Sequence, residues 1–246
     1  MTDIGHEEIR DHVRTTEPLK QSAEAAVRIQ SGKAALRSLI CGYVDAYSLL
    51  TFGVYASFMT GNTTSGGVHT GQWNTAAAGH SLLPIPFFML GIFTGTLTVD
   101  LNRPRSLFRL SIAVAILLFL DIFCTFARWP GWSSIMMLSF AMGLTNTSVT
   151  SVGAQAVSLG FMTGDLNNLA KQIVEAVRRK PVVGAQGPWD TQLHRIRLLA
   201  GLWVAFFMGA ICGTVVSPHL GARMLLFPAL TLLVLGFIER TCAVPC

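Results

Sequence analysis

The stretch that decides the fold occurs twice, as Phe58-Met59-Thr60-Gly61-Asn62 and, about a hundred residues on, as Phe161-Met162-Thr163-Gly164-Asp165. Each copy closes a long apolar segment with a small polar corner, in which a glycine permits dihedrals that other residues avoid. A helix is expected to stop there. Two readings of the corner stay open. In one, Asn62 and Asp165 cap the start of a following short helix. In the other, the helix breaks within the bilayer, where freed backbone groups are tolerated only against protein or water. Thr60, Gly61 and Asn62, with Thr163, Gly164 and Asp165, would then line the path of a polar solute.

The surroundings of the two copies also correspond, which makes an internal duplication the expectation. Upstream, Gly42-Tyr43-Val44-Asp45 aligns with Gly143-Leu144-Thr145-Asn146, with two residues inserted before the second corner. Downstream, the segment around Gly91 and Gly95 aligns with that around Gly209 and Gly213, and Arg109 and Arg223 each open another apolar run. Gly91-x-x-x-Gly95 and Gly209-x-x-x-Gly213 are spacings that allow helix backbones to approach closely. Their expected role is packing, with the second and fifth helices crossing at the centre of a bundle.

Composition places this arrangement in a membrane. Of the 246 residues, 51% are hydrophobic and 13% charged, where soluble domains carry about 25% charged residues. The net charge of +5 would suit nucleic acid, but the bases avoid the apolar runs and collect between them, so no nucleic-acid partner is expected. Six apolar segments near the length needed to span a bilayer are read at Leu36–Phe58, Leu82–Val99, Leu107–Ala127, Trp132–Val152, Leu198–Ser217 and Ala222–Ile238. Residues 1–34 read as a polar cytosolic tail with a helix from Gln21, 35–128 as a first three-helix repeat and 129–246 as a second.

Of the 18 lysines and arginines, all but Arg128 and Arg223 fall on one side if the amino terminus is cytoplasmic. The positive-inside bias therefore predicts both termini in the cytoplasm of an inner-membrane, multi-pass protein. Trp129 and Trp132 suit an interfacial anchor on the far side. The segment Thr63–Ser81 reads as a polar connection, and the stretch from Leu166 as an amphipathic helix on the cytosolic surface. An odd number of helices per repeat forces the second repeat to enter from the opposite side. The fold class expected is an all-α bundle of six transmembrane helices in two inverted three-helix repeats, an arrangement common in secondary transporters.

With these residues in view, the chain resembles the YoaK family of multi-pass bacterial membrane proteins. The resemblance is carried by Gly42-Tyr43-Val44-Asp45-Ala46, the two corners, Gly143-Leu144-Thr145-Asn146 and the loop Ala185-Gln186-Gly187-Pro188-Trp189-Asp190-Thr191. It covers residues 34 to about 240 and implies a cytoplasmic-membrane protein of about six helices. It supplies no substrate. The chain departs from the family pattern in the polar residues after Asn62 and in Asp121.

Asp45 falls well inside the first helix, where a carboxylate costs about 2.5–3.5 kcal/mol on insertion scales. It should face a cavity, a partner or a proton, and Asn146 keeps a polar group at the equivalent depth. A hydrogen bond locking the halves together is the structural alternative to a solute or proton site. Asp121 is expected to form a surface pair with Arg128. No nucleophile-and-base pair or phosphate-binding glycine loop is present, so an enzyme is not expected. His69, His80, His194 and His219 lack metal-ligand spacing, and neither metal nor cofactor is expected. The favoured function is a small secondary transporter for a polar or weakly acidic solute, with proton coupling through Asp45. The alternative is a non-transporting accessory protein that binds a partner or anionic lipid through Arg178, Arg179 and Lys180. The small bundle is compatible with a homodimer.

Overall fold

Only structures that satisfy their own backbone can cross hydrocarbon, and this chain does so with helices. A computed structural model describes the backbone of residues 4–101, 103–160, 162–187 and 189–241, and of these the side chains other than those of 4–22, 100, 101 and 103–105. Phe161, Pro188, Cys242 and Cys246 lie outside the described residues, as does the side chain of Asp100. In order, the elements are α1 (Ile4–Phe52), α2 (Met59–Gly71), α3 (Thr75–Leu82), α4 (Pro84–Leu101), α5 (Arg103–Phe126), α6 (Gly131–Ser148), β1 (Ser151–Val152), β2 (Gln155–Ala156), α7 (Met162–Val177) and α8 (Gln192–Leu220). A 3-10 turn over Gly221–Leu225 then leads into α9 (Leu226–Thr241).

Several expectations change. The helix expected from Gln21 begins at Ile4 and continues without a break into the first span. The polar connection Thr63–Ser81 is mostly helical, as α2 and α3, although it is rich in weak helix formers. Its turns are held by packing of α2 on α3 rather than by propensity. The bundle is not purely helical, because β1 and β2 form a two-stranded antiparallel ladder after α6.

Three stretches among the described residues are long and apolar enough to cross a membrane: Thr75–Val99, Ser106–Phe126 and Gln192–Thr241, the last containing both α8 and α9. They carry outward stripes at helical spacing, including Met89, Phe93 and Leu97 on α4, Ile116, Leu120 and Phe123 on α5, Val204, Met208, Ile211 and Val215 on α8, and Leu230, Val234 and Phe237 on α9. Apolar side chains turned outward at this density are what a lipid environment selects. Of the other helices, α1 and α6 are enclosed by the rest along part of their length. Residues 40–48 of α1 and 141–145 of α6 are buried on every side.

Two exchanged helix pairs build this interior: α1 packs along α8, and α6 packs along α4. Glycine makes both possible. A Cβ at Gly42 would collide with the Phe206 carbonyl of α8, and one at Gly209 with the Leu39 carbonyl of α1. In the other pair, a Cβ at Gly143 would collide with the Phe88 carbonyl of α4, and one at Gly91 with the Phe140 carbonyl of α6. Gly95 abuts Thr147, and Gly213 abuts Tyr43 and Ala46. Packing is thus the role of these glycines, but the expected crossing of the second and fifth helices is replaced by packing of each against the first helix of the other half. The third pair, α5 and α9, closes the bundle.

Helices α1 and α6 run in opposite directions. Phe52 at the end of α1 lies against Gly131 at the start of α6, whereas Val27, far earlier in α1, lies against Gly153 in the hairpin that follows α6. Before α8, Asp190 and Arg195 form a bidentate pair, Nε to Oδ1 and Nη2 to Oδ2, each at 2.8 Å. The Arg195 guanidinium holds the Asp190 carboxyl below the usual carboxylate range. This fastens the loop that contains Trp189.

Gly143→Val should lower stability in detergent by about 1–3 kcal/mol or more, because backbone faces backbone and no flexible side chain can yield. Gly201→Ala, with nothing within 4 Å of the new methyl, should leave the unfolding midpoint unchanged or slightly raised.

Candidate functional site

The site begins with a carboxylate in a helix that then turns back on itself. Asp45 is 4% exposed and lies seven residues, about 10 Å, before the end of α1. Beyond Phe52, Gly53 takes φ +73, a left-handed turn that suits glycine. The Phe52 carbonyl left open at the helix end is met by Nε2 of His80 at 2.7 Å. Residues 54–57 then return alongside α1 until Ser57 reaches Asp45. The Ser57 amide donates to Asp45 Oδ1 at 2.7 Å and its hydroxyl to Oδ2 at 2.6 Å. Only after this return does α2 start, at Met59.

The corner therefore opens a helix instead of ending one. Asn62 lies in the first turn of α2 and is not its cap, since Phe58 holds that position without a side-chain cap bond. Asn62 instead grips the returning segment: Oδ1 accepts from the Tyr55 amide at 3.0 Å, and Nδ2 donates to the Tyr55 carbonyl at 2.7 Å. Gly61 is needed because a Cβ there would lie 2.5 Å from the Phe58 ring and 3.1 Å from that of Tyr55.

The second half repeats the scheme with acid and amide exchanged, Asn146 standing where Asp45 does and Asp165 where Asn62 does. After α6 the chain turns back through the β1–β2 hairpin, with Gly153 at φ +57. Ser158 Oγ and the Gly160 amide both donate to Asn146 Oδ1, at 3.4 and 3.2 Å. The Ser158 amide donates to Asp165 Oδ1 at 3.3 Å. Asp45 to Ser57 and Asn146 to Ser158 are both separations of 12 residues. Asn62 to Tyr55 and Asp165 to Ser158 are both separations of seven. Asp165, like Asn62, falls in the first turn of its helix, and it is 2% exposed. Among the described residues its Oδ2 has no hydrogen-bond partner.

The two unwound segments touch. A Cβ at Gly160 would lie 3.2 Å from Cβ of Ser57 and 3.7 Å from Asn146 Oδ1. The structure thus gathers Asp45, Asn146, Ser57, Ser158 and Gly160 in one place, with Asn62 and Asp165 one layer behind. Thr60 and Thr163 are exposed and do not join them, and Gly61 and Gly164 are half-buried in the first turns of α2 and α7. Asp45 bonds within its own half, and the two unwound segments meet at Ser57 and Gly160.

Two further buried groups were not recognised in the sequence or were misplaced. Arg37 and Glu239, separated by 202 residues, form an ion pair at 2.8 Å with side chains 1% and 5% exposed. The available signal was a single acid near the end of the last apolar run, with a base one residue into the first. Asp121 does not pair with Arg128. It is fully buried, near Tyr47 of α1 and Ser134 of α6. Arg128 lies past the end of α5 in a left-handed conformation, φ 58, and is exposed.

Asp45→Ala would leave the Ser57 amide and hydroxyl without their acceptor, and should cost about 1–3 kcal/mol. Asn146→Ala, which removes longer and neutral bonds, should cost less. Comparing unfolding midpoints of the two variants in detergent checks this order.

Residues 34–238 match the family model described as "Protein of unknown function (DUF1275)". Among curated proteins, the chain is similar to UPF0700 transmembrane protein RA0705 of Rhizobium meliloti (strain 1021), with 27% identity over 202 residues and 80% of each chain covered. No solved structure matches it.

Proposed function

The chain belongs to the DUF1275 family, and from that premise we propose that it is a secondary transporter of the inner membrane for a polar or weakly acidic solute. The observation that carries this reading is the meeting of two unwound segments at Ser57 and Gly160, each held by a buried polar residue of the preceding helix, Asp45 or Asn146. Irregular backbone enclosed by protein, at the junction of two halves, is where carriers of this kind place their solute.

The topology proposed is six membrane-crossing helices in two inverted repeats, with both termini cytoplasmic. It is supported by the antiparallel course of α1 and α6, by the exchanged pairing of α1 with α8 and α6 with α4, and by the equal spacings of the bonds around the two corners. Asp45, the charged member of the matched pair, is assigned the coupling proton. In this conformation it accepts from Ser57, and opening of the Ser57–Gly160 contact would expose it to the solute path.

Proteoliposomes containing the purified protein should take up a solute from a panel of organic acids, amino acids and sugars saturably, and faster with an inward proton gradient. Asp45→Asn should reduce that uptake about tenfold or more, the loss expected for one charge-assisted interaction. Liposomes impermeable to the whole panel, with a partner co-purifying through Arg178, Arg179 and Lys180, would instead favour the accessory-protein reading.

A further inference from the structure

A small, partly open recess of about 10 Å³, room for about one water, lies between α1, α5, α6 and α9. Its walls include Arg37 of α1, Ser111 of α5, Thr145 and Ser148 of α6, and Leu232 of α9. Thr145 and Ser148 neighbour Asn146 along α6. Both hydroxyls already donate along their own helix, Thr145 to the Ala141 carbonyl at 2.9 Å and Ser148 to that of Thr145 at 2.6 Å. Of the residues that line the recess, Arg37 carries the charge.

Arg37 is paired incompletely. A single nitrogen, Nη2, makes its hydrogen bonds, to Glu239 Oε1 at 2.8 Å and Ser111 Oγ at 3.2 Å. Among the described residues Nε and Nη1 make none. The contrast with Arg195 is direct, since that guanidinium closes on Asp190 with two parallel bonds. A guanidinium is a fork that fits a carboxylate through two donors, and here half the fork is open. Burying such a pair seldom improves stability over well-packed apolar residues, and ionisable groups inside a membrane usually mark a solute or ion path.

We propose that Arg37 anchors the carboxylate of a small organic acid, and that Glu239 occupies that place when the solute is absent. This rests on the transport reading above and narrows its solute to an anion. The arriving carboxylate takes both donors of the fork and displaces Glu239. Helix α9, which carries Glu239 two residues from its end, is released from α1.

The test is the unfolding midpoint of the full chain in detergent, titrated with acetate, lactate and succinate at constant ionic strength, with glycerol and choline as neutral and cationic controls. At least one carboxylate, and neither control, should raise the wild-type midpoint saturably. Glu239→Gln, which removes the internal competitor, should lower the half-saturating concentration about tenfold or more. The double variant Arg37→Gln/Glu239→Gln removes both charges while keeping polar side chains, and should abolish the effect. No response to any carboxylate, an unchanged half-saturation in Glu239→Gln, or a response that survives in the double variant would overturn the assignment. If the carboxylate binds as stated but never crosses proteoliposomes, the transport reading fails and the site stands. If saturable uptake of a neutral or cationic solute is unaltered in the double variant, the site fails and transport stands.

Discussion

The bonds from Ser57 to Asp45 are the constraint on which the rest of the structure depends. A helix that stops inside a bilayer exposes carbonyls and amides that lipid cannot satisfy. Here a carboxylate within the helix receives the returning chain, and the fold-back that results delivers the start of α2 to the level of Asp45. Asn146 receives Ser158 and Gly160 in the same way with a neutral amide. In the first half the carboxylate is on the helix before the fold-back and the amide at the start of the helix after it; in the second half the two are exchanged, with Asn146 on α6 and Asp165 in α7.

The glycine contacts make the second requirement. For two returning segments to touch, the helices that carry them must come close, and α1 and α6 reach the interior because α8 and α4 meet them backbone to backbone. Each half supplies the partner that buries the first helix of the other. The exchange also places α1 and α6 in the interior. The outer helices provide the apolar surface, which leaves α1 and α6 free to carry Asp45, Ser38, Ser139 and Thr145.

Much of this was readable from the residues. The correspondence of the two corners, and of Asp45 with Asn146, follows from the alignment of the two halves, and membrane residence follows from the scarcity of charge. The direction of the chain at each corner did not follow. Thr-Gly-Asn reports that regular structure changes there, but a stop and a start share that signature, and the bond that decides between them lies 12 residues away. Glycine spacing identified a close-packed face without naming its partner, which only tertiary structure specifies. Arg37 reads only as one of the cytoplasmic-side bases, because its acid lies 202 residues on. Asp121 was matched to the nearest opposite charge in sequence, although the helix turns it inward and ends before Arg128.

The contact of Ser57 with Gly160 is the most direct point of test. In a chain with its five cysteines replaced by alanine, Ser57→Cys and Gly160→Cys place two Cβ atoms near the separation of about 3.5–4.5 Å found in disulfides. Oxidation in native membranes, followed by cleavage at a protease site engineered between Arg128 and Trp129, should leave the two fragments joined until reductant is added. Fragments that separate without reductant, while an Ala46→Cys/Gly213→Cys pair across α1 and α8 stays joined, would contradict the meeting of the two unwound segments.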